Sequence, residues 1–363
     1  MGHNSTNYSL LFSSSASALT LVKTSSTMAT TPMSYFVCSV RANSFQIFLT
    51  FQVMECYVNP VLSLFGLCGN IMSLAILKHS GIHKPSNILL FGLVVADIMC
   101  LMLTIDYALP LLYFGPDKIV PMLCGFQYHD AVNYFLTISS LVFTFFGFWG
   151  IYVNPFIQVF VTVERLLAVF MPLTFKKIVT RLTTTVCVLF SFLFWLPWNF
   201  AFNSIYDIRQ QKLSPSVNWM AVVHGKFYFS NQEIIDVFNF YVVDSLDSWI
   251  PLILVTLGTL AVFIKLKVTL RKRQKLTKSM KPITWSTRTT RTLMATSVVF
   301  IAAHACGSMI IYLFPSENYV EYYTRNAFYY LVYIINGSSS LSIYLVCNKR
   351  FLQIFLKIVR WET

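Results

Sequence analysis

The chain has 363 residues, 56% of them hydrophobic, 16% aromatic and only 11% charged, with a mean hydropathy of +0.63. That charged fraction is under half the ~25% of an ordinary soluble domain, which excludes a water-soluble globular protein. The net charge of +13 invites a nucleic-acid reading, but the placement of the charges along the chain argues against it.

Residues 1–56 form a Ser/Thr-rich amino-terminal tail containing Asn4-Ser5-Thr6 and Asn7-Tyr8-Ser9, two N-glycosylation acceptors if this end reaches the lumen. Leu10–Val22 lacks the basic flank of a cleaved signal peptide. Met1-Gly2 with Thr6 fits a myristoylation pattern, a chance match if the tail is outside.

Crossing a bilayer as a helix takes about 20 mostly apolar residues. Residues 57–347 supply seven such stretches, predicted at Tyr57–Leu77, Asn87–Tyr113, Phe135–Phe170, Thr183–Phe202, Ser248–Leu266, Thr292–Phe314 and Asn326–Val346. Residues 348–363 add a short tail, in which Phe351, Ile354, Phe355 and Ile358 recur at helical spacing among basic residues. That pattern predicts a helix lying on the membrane surface. The expected fold is an all-α, seven-span membrane bundle with one amphipathic helix after the seventh span.

Counting the loops alternately, one side holds 20 of the 27 Lys and Arg, and the other holds 7, together with 11 of the 14 acids. The positive-inside rule then puts the amino terminus outside and the carboxyl terminus inside. Cys68, Cys100, Cys187 and Cys306 fall inside apolar stretches, where small buried thiols are ordinary. Cys347 reaches the inner membrane edge, either palmitoylated or unmodified. Only Cys38, Cys56 and Cys124 face the oxidising side. No internal repeat, phosphate loop, zinc spacing or nucleophile elbow occurs, so nothing supports an enzyme.

The densest signal is Glu164-Arg165 at the end of the third stretch, with Pro172-Leu173 following seven residues after the arginine. Ionisable residues within a membrane helix are costly and read first as functional. The alternative is an arginine snorkelling to the interface beside a glutamate.

In order along the chain, Gly69-Asn70, Leu93-Val94-Val95-Ala96-Asp97, Glu164-Arg165-Leu166, Pro172-Leu173, Pro251, Tyr344 and Phe351 each fall in a fitting span. Over about Asn59–Phe355 the chain therefore resembles the rhodopsin-like (class A) G-protein-coupled receptors, in a divergent invertebrate peptide-receptor or chemosensory form. Departures from the family pattern are plain. The sixth span has His304 and Cys306 at the Trp and Pro positions counted from Phe300, and the Asn-Pro-x-x-Tyr motif reads Ser340-Leu341-Ser342-Ile343-Tyr344. Without that proline the usual kink has no obvious cause. Ser140 stands at the family's third-span cysteine position, and Asn203–Asp247, expected as the second outer loop, has no cysteine. The usual outer disulfide cannot form; a bridge from Cys124 to Cys38 or Cys56 is a possible substitute.

The resemblance implies roles. Asp97 with Asn70, Asn154, Asn336 and Ser340 corresponds to the family's sodium pocket, a carboxylate among neutral oxygens that suits a small hard cation. The alternative is a protonated Asp97 in an interhelical hydrogen-bonded network. Phe300 and His304 occupy the activation-switch positions. Arg165, resting against Glu164, would turn on activation to meet a heterotrimeric G protein, with Pro172, Leu173 and Tyr344 supporting that contact. Ten basic residues in Lys265–Arg291 fit anionic lipid, or the G protein itself.

The amine-receptor aspartate would fall at Gly147, which argues against a monoamine, and the retinal lysine at Ile334, which argues against an opsin. Trp219–Val223 and Lys226–Phe229 read as two strands round His224-Gly225, a hairpin that peptide receptors of the family often carry. Asp236, Asp244, Asp247, Glu317 and Glu321 would draw a basic peptide, or are simply solvated loop charges. The expectation is a plasma-membrane receptor for an extracellular ligand, first a peptide, coupled to a G protein. It has no cofactor beyond possible sodium. The alternatives are a chemosensory receptor for small molecules, or a non-signalling seven-span protein or transporter.

Overall fold

The computed structural model describes residues 50, 53–104, 130–214, 217–276, 284–314, 319–347 and 349–359. Seven of its helices are long and apolar enough to cross a membrane, with a short amphipathic helix after the last. The first span, Asn59–Ser80, has a proline in its opening turn, where the missing N–H costs nothing. It ends at Gly81, whose φ of 86° is open to glycine at no steric cost. Asn87 Nδ2 donates to Gly81 O at 2.8 Å and ties this turn to the second span, Pro85–Met102.

The third span, Asp130–Phe170, is 41 residues long and about 60 Å at 1.5 Å per residue. It packs against the second, fourth, fifth and sixth spans and forms the centre of the bundle. It comes close to the second span at Gly150, where an added Cβ would lie 2.7 Å from Ala96 O and 2.8 Å from Met99 C, both second-span backbone. Only a residue without a side chain lets these two helices meet so closely. A seven-residue helix, Pro172–Ile178, leads to the fourth span, Arg181–Ser204, capped by Thr180 Oγ1 accepting from Thr183 N at 3.1 Å. Trp149 Nε1 to Phe192 O and Asn199 Nδ2 to Phe145 O, each 3.0 Å, fasten the fourth span to the third.

The predicted hairpin exists, but with different strands. β1 (Tyr206–Ser214) pairs antiparallel with β2 (Val217–His224), beginning at Tyr206 opposite His224. Gly225 N donates to Ile205 O at 2.7 Å and closes its base. Lys226–Phe229, expected as the second strand, instead opens the helix Lys226–Phe238. Tyr228 and Ile235, two turns apart, both pack on the core, so the run follows a helical period rather than an alternating one.

This corrects the fifth span as well, which the sequence suggested would start at Ser248. The apolar helical stretch covers Lys226–Thr269, and two π turns, Asn239–Val243 and Ser245–Trp249, precede the regular helix Ile250–Leu276. Asp236, Asp244 and Asp247 are therefore helical residues, not loop residues. The sixth span, Thr284–Leu313, runs without a break, and the seventh is Tyr319–Cys347. The surface helix Lys349–Val359 folds back so that Phe351 packs on Tyr344, with ring centroids 5.3 Å apart.

Candidate functional site

Three polar features lie along the bundle axis. The central one is Asp97, 2% exposed on the second span. Its Oδ1 accepts from Asn154 Nδ2 of the third span at 2.6 Å, and its Oδ2 accepts from Ser340 Oγ of the seventh at 2.7 Å. A charge buried among helices is tolerable only with such partners. Asn70 lies alongside but does not touch the carboxylate: its Nδ2 donates to Gly337 O at 2.9 Å, linking the first and seventh spans. Asn336, half-buried, lines a cavity of about 10 Å³ together with Asp97, Asn154, Gln158 and Ser340. Asn154 Oδ1 is buried and lacks a donor. The expected pocket residues thus come together, with Asn70 one step removed.

This donor set fits a small hard cation, since the carboxylate oxygens, the orphaned Asn154 Oδ1 and neutral neighbours border space for one small particle. Exchanging the two ends of the Asn154 amide would instead let a protonated Asp97 donate to it. Both readings of the sequence remain compatible with the geometry.

The second feature is at the end of the third span. Arg165 Nη2 lies 3.2 Å from Glu164 Oε2 and donates to Ser86 Oγ at 2.9 Å. Ser86 Oγ in turn donates to Glu164 Oε1 at 2.6 Å. Ser86 was not singled out from the sequence. It sits beside Pro85 at the start of the second span, at the same depth as Glu164-Arg165, which was the available signal. Pro172 starts the short loop helix, and Leu173 beside it is 91% exposed. Tyr344 is 1% exposed beneath the surface helix. Cys347, half-buried, ends the seventh span and forms no disulfide with another described cysteine.

Between these two features, Gln158 Nε2 donates to Ser297 Oγ at 2.9 Å and joins the third span to the sixth. Gln158 was not singled out from the sequence, although a glutamine two turns before Arg165 inside an apolar helix is a readable flag. Phe300 and His304 stack with centroids 3.9 Å apart, and His304 faces Tyr333 of the seventh span at 5.1 Å. His304 Nδ1 meets Phe300 O at 3.2 Å, while Nε2 has no partner.

The third feature, at the hairpin end of the bundle, is a cavity of about 70 Å³ between the third, fifth, sixth and seventh spans. Asp244 and Asp247 line it among aromatic side chains. Asn4, Asn7, Cys38 and Cys124 lie outside the described residues, as does the side chain of Cys56, so the glycosylation and disulfide expectations stay as read from the sequence.

No curated protein matches this chain. A family model described as "Serpentine type 7TM GPCR chemoreceptor Srw" matches residues 57–361, from just before the first span to past the surface helix. With its seven membrane-capable helices, the chain is a multi-pass membrane protein and belongs to the Srw family of serpentine seven-transmembrane chemoreceptors.

Proposed function

We propose that this protein is a plasma-membrane chemoreceptor that takes an extracellular ligand at the hairpin end of its bundle. It passes the signal to a heterotrimeric G protein at the Arg165 end. The observation that carries the reading is the Glu164–Arg165–Ser86 cluster, followed in the next helix by Leu173, an almost fully exposed leucine. An arginine held by one carboxylate and one hydroxyl is a two-state element that a local change can release. A leucine left this exposed has apolar surface whose burial against a partner would be favourable. By the rhodopsin-like resemblance, Pro172 at the start of the same helix and the buried Tyr344 would support that contact without themselves being exposed anchors. The test is nucleotide exchange on a purified G protein, where Leu173→Ala should slow exchange without altering ligand affinity. Unchanged exchange would remove the docking role.

The family's description as chemoreceptors favours a chemosensory ligand over the peptide first expected. A peptide remains the second reading, supported by the antiparallel hairpin over the same end. At the centre, Asp97 with Asn154, Asn336 and Ser340 would hold a sodium ion that steadies the resting bundle. Phe300 and His304 would couple that centre to movement of the sixth span.

A further inference from the structure

The cavity at the hairpin end carries an unbalanced acid. Asp247 is only 8% exposed, lines the cavity, and its Oδ1 has no hydrogen-bond donor. Asp244, one turn earlier on the same helix, lines it too. Among the described residues, no lysine or arginine lines this space. A buried carboxylate oxygen with no donor is costly, and a cation would offset that cost. Much of the remaining wall is aromatic, with Tyr152 of the third span, Trp249 of the fifth, Tyr312 of the sixth and Tyr329 of the seventh, and Ile151, Ser248, Ser308 and Ile311 fill the rest. Trp249 and Tyr312 lie 6.0 Å apart between centroids, on neighbouring spans. Aromatic faces attract cations, and several round one space form the cage that recognises ammonium groups.

The two π turns bear on this placement. Each adds one residue to a turn, so helix phase shifts within 239–249, where both acids sit. Such turns concentrate at functional sites. In the third span, by contrast, an acid at Gly147 would have no room, since an added Cβ there lies 2.7 Å from Leu103 Cβ. Gly147 leaves the third span without an acid at this cavity, and the fifth span supplies the charge instead.

We propose that this cavity binds an organic cation, an ammonium or guanidinium headgroup, with Asp247 as counter-ion, Asp244 as its supporting charge and Tyr152, Trp249, Tyr312 and Tyr329 as the cage. The proposal rests on the receptor reading and names its ligand chemistry. The headgroup belongs either to a small amine or to a basic side chain of a peptide.

The experiment measures binding to purified protein in lipid nanodiscs by saturation-transfer NMR and thermal melting, with no G protein present. Failure here therefore leaves the signalling account standing, and failure of signalling leaves this one standing. Benzylamine is compared with uncharged benzyl alcohol, and acetyl-Gly-Lys-Gly-amide with its Nε-acetylated form. At least one cation should bind and raise the melting temperature while its uncharged counterpart does not. Benzylamine alone points to a small amine, the peptide alone to a basic side chain, and both to the shared headgroup. Asp247→Asn should weaken the cation about thirtyfold or more, while the ligand-free variant melts no lower than wild type. Should that variant fail to fold, Tyr312→Leu, at a residue that also lines the cavity, should weaken the same cation severalfold. Absence of cation binding, equal binding of the uncharged counterparts, or wild-type affinity in the folded variants overturns the proposal.

Discussion

Arg165 uses one nitrogen, Nη2, for both Glu164 and Ser86, while its Nε is buried without an acceptor. An arginine satisfied this incompletely is held, but not locked. Removing its counter-charge with Glu164→Gln should raise basal signalling, read as cyclic AMP or calcium at matched surface expression. Ser86→Ala deletes hydrogen bonds to both charged partners, each worth about 1.5–3 kcal/mol. Even half of one such bond favouring the resting arrangement would shift the population severalfold to tenfold. Wild-type basal signalling in both variants would mean the cluster is only structural. At Asp97, sodium should raise the melting temperature of the purified protein, and Asp97→Asn should abolish that response. An equal response in the variant would leave only the hydrogen-bonding role. Asp97 and Arg165 were legible in the sequence because a charge in an apolar helix stands out unaided. Ser86 and the free oxygen of Asp247 were not, because only the folded chain shows what each side chain meets.

At the scale of elements, the spans were legible wherever a plain apolar run was flanked by charge. The fourth, for example, was expected at Thr183–Phe202 and is found at Arg181–Ser204. The fifth was not. Lys226–Phe238 mixes Lys226, Glu233 and Asp236 with apolar residues and reads as loop by hydropathy, and the π turns then break the 3.6-residue period. The hairpin was placed about one strand too late for the same reason, since Lys226–Phe229 shares the strand-forming aromatics of its neighbours. Helix contacts offer a sharper test than boundaries. At Gly150 an added Cβ would press on second-span backbone, whereas at Gly307 it would lie 3.4 Å from a Tyr329 ring atom, an ordinary contact. Gly150→Ala should therefore destabilise the purified protein by about 1–3 kcal/mol, and Gly307→Ala by much less, measured as thermal melting. Equal loss at both sites would show that the close approach of the second and third spans is not as described.

For the whole molecule, many large apolar side chains are exposed, Phe65, Leu182, Leu193 and Leu257 among them. In water such a surface would aggregate; in lipid it is the expected one. The seven-span architecture was legible because a bilayer imposes length and composition on each crossing. Orientation rests on the distribution of Lys and Arg. A tag before Asn4 should stain on intact cells, and a tag after Thr363 only after permeabilisation; the reverse would separate Arg165 from any G protein. What composition could not supply was ligand chemistry, which depends on side chains from four spans meeting in one cavity.

The central claim is that the Arg165 end of the bundle activates a G protein. It is tested most directly by Arg165→Ala in cells expressing it at the same surface level as wild type, with nucleotide exchange as the readout. The account predicts that exchange, basal or ligand-driven, is largely suppressed while folding and ligand binding stay near wild type. Exchange equal to wild type would contradict the mechanism, even with all seven helices in place.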